Sequence, residues 1–272
     1  MNSSPSIAHH AAPRAFGDYL RHWRQHRRLS QLDLAQEAEI STRHLSFVET
    51  GRSAPSREMV LRLAERLDVP LRERNALLVA AGYAPMYSER SLDDPALAPA
   101  RTAVALILKS HEPYPALAVD RRWNLVAGNR MLPHLMQGAD PALLEPPVNV
   151  LRLSLHPRGL APKIANLVQW RAHIFERLRQ QIHATGDSAL ANLLDELRAL
   201  EVPEGCDENI EGEMLGVVMP FRFRTPSGTL NFISTTTIFG TPVDVTLQEL
   251  ALETFFPADE ATAQALRQLA AP

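Results

Sequence analysis

The chain has 272 residues and a mass of 30.2 kDa, a size for one large domain or two ordinary ones. Its 45% hydrophobic and 22% charged residues argue against a disordered or fibrous chain, and the single Cys206 excludes an intrachain disulfide framework and a Cys-based zinc site. The formal net charge of −3 divides unevenly: residues 14–82 carry 12 Arg against 9 Asp and Glu, net +3, leaving −6 elsewhere. A basic head on an acidic body suggests that only the head meets a polyanion; the alternative from charge alone is a solvated helix face. No apolar run approaches the ~18–20 residues that span a bilayer, and Ala103–Leu108 is short. Met1–Arg14 is rich in Ser, Ala and His with no apolar core, so no secretory signal is expected, and the expected setting is cytoplasmic with no membrane partner.

In chain order, Phe16, Tyr19, Leu20 and Trp23 follow helical spacing and predict a first helix. Ser30 sits at an N-cap position before a short helix over 31–38, and Glu39-Ile40 makes a turn. Ser41 caps a third helix over 42–49 with Leu45 and Val48 facing inward, and Gly51 stops it in the left-handed region. Pro55 and Ser56 open a fourth helix, with Val60, Leu63, Ala64 and Leu67 at i, i+3, i+4 and i+7. A fifth runs from Leu71 to Ala81 and ends at Gly82.

The middle pair carries the chemistry. Two helices joined by a tight turn pack only with a small residue at their crossing, and Ala35 supplies it. Thr42, Arg43, Ser46 and Phe47 are then left facing outward at the front of a short helix, as a major-groove reader requires. Leu29-Ser-Gln-Leu-Asp-Leu-Ala-Gln followed by Ile40-Ser-Thr-Arg-His-Leu-Ser-Phe-Val-Glu-Thr-Gly-Arg, with Glu49-x-Gly51-Arg52-x-x-Pro55, resembles the Cro/repressor-type (xenobiotic-response-element) helix-turn-helix. One departure is Glu39, where many members place a left-handed glycine; a non-glycine residue there costs ~1–2 kcal/mol. The resemblance implies phosphate contacts from Gln31, Ser41 and Arg52 and base-edge contacts from Thr42 and Arg43, joined by one or another of His44, Ser46 or Phe47. Arg43 suits guanine, because a guanidinium can bond O6 and N7 together. One such unit grips one half-site, so the expected partner is double-stranded DNA with a near-palindromic operator, bound by a homodimer.

Residues 83–100 contain Pro85, Pro95 and Pro99 and read as a partly extended linker. Beyond it, the pattern predicts a helix over 101–110, strands over 116–119 and 123–127 around an Asp120-Arg-Arg turn, and a short helix over 129–136. Amphipathic helices follow over 161–183 and 187–200, then strands over 212–224 and 230–239 around a Pro226-Ser-Gly-Thr loop. Residues 247–256 fit a strand, although Leu247, Ala251 and Thr254 also suit a helix, and the last helix covers 260–270. Two strands, several helices and three strands predict an antiparallel sheet with helices on one face, able to enclose a small apolar cavity.

Pro115-Ala-Leu-Ala-Val-Asp, Trp123-Asn-Leu-Val-x-x-Asn129, Leu153-x-x-His156-Pro-x-Gly159, Phe239-Gly-Thr-Pro-x-Asp-Val-Thr-Leu and Glu253-x-Phe-Phe-Pro-Ala-Asp resemble the ligand-binding domain of MmyB-like transcription regulators. That resemblance implies a PAS-like fold and a fatty-acid-like apolar ligand. The fold class expected is mainly α with α+β: a five-helix helix-turn-helix domain over 14–82, a linker over 83–100, and a PAS-like antiparallel sheet covered by helices over 101–271. Tyr114, Trp123, Phe221, Phe223 and Phe232 are candidate pocket walls, and Arg171 or His173 a partner for a carboxylate at the mouth; each equally suits ordinary core or solvated helix. His22 and His26 have the spacing of a metal pair but lack a third ligand, and Ser154 with His156 lacks an acyl-transfer motif, so neither a metal nor a catalytic residue is assigned. The expected function is a DNA-binding transcriptional regulator controlled by the ligand and not an enzyme. The alternatives are a constitutive DNA-binding protein whose body only dimerises, and a DNA-targeted lipid-handling enzyme.

Overall fold

A computed structural model describes residues 15–203, 219–240, 242 and 244–271. The chain divides between Ser88 and Glu89 into two compact units.

The first unit is five helices: α1 (Phe16–His26), α2 (Gln31–Glu37), α3 (Thr42–Glu49), α4 (Arg57–Arg66) and α5 (Leu71–Ala80). Each turn has a local chemical cause. Ser30 and Asp33 close a reciprocal capping box at α2, and Ser41 and Ser56 accept the His44 and Met59 backbone N–H groups at the starts of α3 and α4. Glu39 adopts φ 57°, the left-handed turn that the family pattern usually fills with glycine. Leu20, Leu34, Ala35, Leu45, Leu63 and Leu67 are buried together at the centre.

Gly17 decides how closely α1 and α3 approach. A Cβ there would lie 2.2 Å from the Glu49 carbonyl oxygen and 2.7 Å from its carbon. Gly→Ala inside a helix normally gains ~0.5–1 kcal/mol. Here the sign is expected to reverse: Gly17→Ala should destabilise the unit by ~2 kcal/mol, because backbone has to move. Thermal denaturation of the full chain checks this, and an unchanged or raised midpoint would contradict it.

The second unit begins with α6 (Ala98–Ser110), β1 (Ala116–Val119), β2 (Leu125–Gly128), α7 (Leu132–Met136) and α8 (Val150–Leu155). It continues with α9 (Leu167–Thr185), α10 (Ser188–Ala199), β3 (Pro220–Thr225), β4 (Gly228–Ile238), α11 (Val245–Gln248), β5 (Ala251–Pro257) and α12 (Glu260–Ala270). The strands form one antiparallel sheet in the order β2-β1-β5-β4-β3. Alternation along β1 separates two cores. Leu117 and Val119 join Phe221, Phe223, Leu230 and Phe232 under α8, α9 and α10. Ala116 and Ala118 join Leu252 under Val104 and Leu108 of α6. Helices therefore cover both faces at the β1–β5 end, where cover on one face was expected.

Among the expected boundaries that shift, four do so for a visible reason. Trp123 is not in a strand: it takes φ 66° in the turn, which Asp120 closes by accepting the Arg122 and Asn124 backbone N–H groups. The helix expected from 129 starts at Leu132, because the Asn129 side chain is a buried hub. It accepts from Ala116 N and donates to the Leu108 and Tyr114 carbonyls. The helix expected from 161 starts at Leu167, since the preceding residues pair with β3. The Ala165 N–H donates to the Arg222 carbonyl at 2.8 Å, and Asn166 bridges Pro220 and Arg222. The segment 247–256 splits into the one-turn α11, capped by Asp244, and β5. Of the strand expected over 212–224, residues 212–218 lie outside the described part.

The expected spacer, 83–100, is folded onto the units. Asn75 binds the Met86 and Tyr87 backbone, while Arg90 reaches Asp244 at 3.1 Å and accepts the Thr246 hydroxyl at its carbonyl.

Candidate functional site

In the first unit, one buried carboxylate ties three helices together. Glu49, the last residue of α3, has no side-chain surface exposed. Arg24 of α1 grips it with a fork, Nε to Oε1 at 2.6 Å and Nη2 to Oε2 at 3.0 Å. Gln31, first in α2, donates Nε2 to Oε2 at 2.7 Å, and Arg21 stands 3.7 Å away while donating to the Glu49 carbonyl. Burial would raise the Glu49 carboxyl, but the hydrogen bonds from Arg24 and Gln31 and the charges of Arg24 and Arg21 outweigh it and hold the group below its ordinary range.

That anchor fixes the outer face of α3. Ser41, Arg43 and Arg52 are exposed, and Thr42, His44, Ser46 and Phe47 are partly exposed along the same short helix. The Arg43 guanidinium lies 5.4 Å from the Phe47 ring centre and that of Arg52 lies 5.8 Å from it. Neither guanidinium bonds a side chain or carbonyl among the described residues, so both retain their N–H donors. Of the eight residues singled out for DNA, Arg43 and Arg52 meet at Phe47, and Gln31 is tied to the end of the same helix by its bond to Glu49. Its second amide hydrogen remains for an external acceptor.

In the second unit, a pocket of about 90 Å³ opens between the sheet and α7, α8 and α9. Its walls are mainly apolar: Leu117 of β1, Leu135 of α7, Leu151 of α8, Trp170 and Ile174 of α9, and Phe255 of β5. Of the residues proposed from sequence, Trp123 and Phe221 line it. Tyr114, Phe223 and Phe232 pack in the surrounding core instead. His173 stacks on Trp170 at 5.5 Å beside the pocket; burial, with the nearby Arg177 charge, lowers its basicity despite the opposing pull of Glu253. Arg171 does not reach the pocket. Its guanidinium donates to the Leu200 and Arg198 carbonyls at 2.7 Å, tying down the end of α10.

The charges at the pocket are Arg177 and Glu253. Arg177 Nη2 donates to Glu253 Oε1 at 2.7 Å and Nη1 to Oε2 at 3.2 Å, and the guanidinium lies 4.7 Å from the Trp123 ring centre. Thr236 joins both groups at 2.7 Å. Sequence reasoning missed this pair. The available signal was Arg177 standing seven residues after Trp170, on the stripe that also holds Ile174.

Two known families match these two units. The family described as MmyB-like transcription regulator ligand binding domain matches residues 100–269, and a helix-turn-helix domain family matches residues 15–77. The chain belongs to the MmyB-like transcription regulators. As a member, this regulator combines a DNA-binding domain with a ligand-binding domain, and both matched families are regulatory. A comparison with curated proteins finds no match. Among solved structures, one described as an RNA-binding light-oxygen-voltage receptor is similar at 14% identity and a TM-score of 0.27; the match covers 94% of this chain and 63% of that one. Among the described residues, no group of three or more His, Cys, Asp or Glu is arranged to hold a metal ion, and no helix is long and apolar enough to cross a membrane.

Proposed function

We propose that this cytoplasmic regulator binds a near-palindromic operator as a homodimer, α3 of each protomer entering the major groove, and that a small apolar ligand in the pocket sets its DNA affinity. The observation carrying the DNA part is the locked α3 with two uncommitted guanidiniums flanking Phe47. Arg43 reads a guanine, Phe47 packs on a neighbouring thymine methyl, and Thr42, His44 and Ser46 are within the same footprint. Ser41, Gln31 and Arg52 meet phosphates and set the register. A monomeric mass both free and on operator DNA would overturn the dimer.

Base and phosphate roles separate experimentally. Arg43→Ala is expected to lose ~1–3 kcal/mol of discrimination and to relax the preferred base at one position per half-site. Gln31→Ala should weaken all sequences about equally. Binding-site selection on randomised duplexes measures both. An unchanged preference after Arg43→Ala, or a base-selective loss after Gln31→Ala, would reverse the assignments.

The apolar pocket supports control by a ligand, for which the family resemblance implies a fatty-acid-like molecule. Control requires the ligand to prefer one conformer, since equal affinity for both shifts nothing. Operator binding measured before and after delipidation separates this from constitutive binding, which would leave affinity unchanged.

A further inference from the structure

A second hollow, of about 190 Å³, borders the α6 core on the other face of the sheet and shares no described lining residue with the first pocket. Its apolar walls include Val104 and Ala105 of α6, Val126 of β2, Leu247 of α11 and Leu250. Two charged residues also line it, Arg101 of α6 and Asp93 in the loop before that helix.

Arg101 and Asp93 are neighbours that do not pair. Arg101 Nη1 donates to the carbonyls on either side of Asp93, those of Leu92 and, at 2.8 Å, Asp94, and this uses both of its hydrogens. Nε and Nη2 keep three N–H donors that no described acceptor takes. The Asp93 carboxylate has no described partner either. The loop is pinned on both sides of it: the Asp93 N–H donates to Ser91 Oγ at 3.3 Å, and the Asp94 carboxylate caps the turn Pro95–Leu97 by accepting the Ala96 N–H at 2.8 Å. A cation and an anion thus line one apolar hollow, each without a counter-charge. Arg101 is half-buried and Asp93 is exposed. A carboxylate meeting the free edge of the guanidinium accepts two parallel charge-assisted hydrogen bonds. An ammonium meets Asp93 in a more screened setting.

We propose that this hollow binds a free apolar amino acid, with its carboxylate on Arg101 Nε and Nη2, its ammonium on Asp93, and its side chain against Val104, Val126 and Leu250. The volume suits that occupant: a cavity of ~150 Å³ takes up benzene, so about 190 Å³ holds a side chain the size of leucine's. The site is separate from the first pocket and independent of what that pocket holds.

The test uses the full chain at neutral pH, where both ends of an amino acid are ionised, with L-leucine and its two halves. Isoamylamine lacks the carboxylate and isocaproate lacks the ammonium. Titration calorimetry reads binding, and thermal midpoints read it independently. Leucine should bind tightest, with isoamylamine at least ~10-fold weaker for want of the charge-assisted fork. Isocaproate should be weaker than leucine by ~2–5-fold, because Asp93 is exposed. Arg101→Gln should weaken leucine by ~10-fold and leave isoamylamine unchanged, while Asp93→Asn should weaken leucine by ~2–5-fold and leave isocaproate unchanged. That crossed pattern is one that general loosening of the loop does not produce. Equal losses for all three probes in Arg101→Gln would make Arg101 a structural tie and overturn its role as carboxylate partner. Leucine binding that neither variant alters would place the ligand elsewhere and overturn the site. So would silence from all three probes in both readouts.

Discussion

Glu49→Ala is expected to destabilise the first unit by ~3 kcal/mol and to abolish sequence-specific DNA binding. Truncation leaves the Arg24 guanidinium, whose side chain is 11% exposed, without its counter-charge and with the Leu29 carbonyl as its remaining short partner. An unpaired buried charge is what makes breaking such a pair costly, more than the worth of the pair itself. Gln31 loses its acceptor at the same time, so the start of α2 and the end of α3 lose their common anchor. The double variant Arg24→Met with Glu49→Met separates stability from positioning. It should recover most of the stability, since an apolar pair can replace a buried ion pair, but not the DNA affinity that depends on Gln31. Denaturation of the full chain with operator titration in parallel checks both; full affinity in the double variant would show that Glu49 does not position Gln31.

The same carboxylate gives a pH signature. Its folded-state proton affinity is depressed relative to an ordinary value of 4.5. The stability it confers is fully present above that value and is lost as pH falls through the lower folded one. Acid unfolding of Glu49→Ala should therefore be flatter below about pH 4.5 than that of the parent.

How much of this was legible in the sequence depended on whether the cause was local. In the head, α2, α3 and α4 follow from their serine caps and α1 from a 3.6-residue apolar period, all readable within a few residues, whereas the left-handed turn at Glu39 was expected only from the family resemblance. Local periodicity also placed β1 and α12. What escaped were roles created by distant pairing. Glu49 and Arg24 are 25 residues apart, and Arg177 and Glu253 are 76 apart. Nothing in the composition of either segment joins them. Arg171 was a candidate carboxylate partner beside His173, yet the end of α10 claims it, a fact fixed only when the α9–α10 hairpin closes. Gly17 has no sequence signal at all, since its constraint is a backbone carbonyl of another helix. Asn129, by bonding to α6, Tyr114 and β1, and Asn166, by bonding to β3, shortened two helices, which propensity cannot foresee.

Trp123→Ala is expected to cost the second unit ~3–5 kcal/mol, and it shows why an aromatic residue stands where the backbone disfavours it. Trp123 takes φ 66°, a conformation that costs a non-glycine residue ~1–2 kcal/mol. Against this, the residue is only 8% exposed, and its ring lines the pocket, lies beside the Arg177 guanidinium and donates Nε1–H to Gln181 Oε1 at 2.8 Å. Burial of so large a side chain exceeds the backbone penalty, so the turn keeps its strain. Trp123→Gly isolates the two contributions. It removes the same ring but relieves the backbone, and should be more stable than Trp123→Ala by ~1 kcal/mol, the reverse of their order in a helix. Chemical denaturation of both variants decides it: equal stability would show that the left-handed turn carries no strain. In either variant the Arg177–Glu253 pair loses its aromatic neighbour and the pocket one wall.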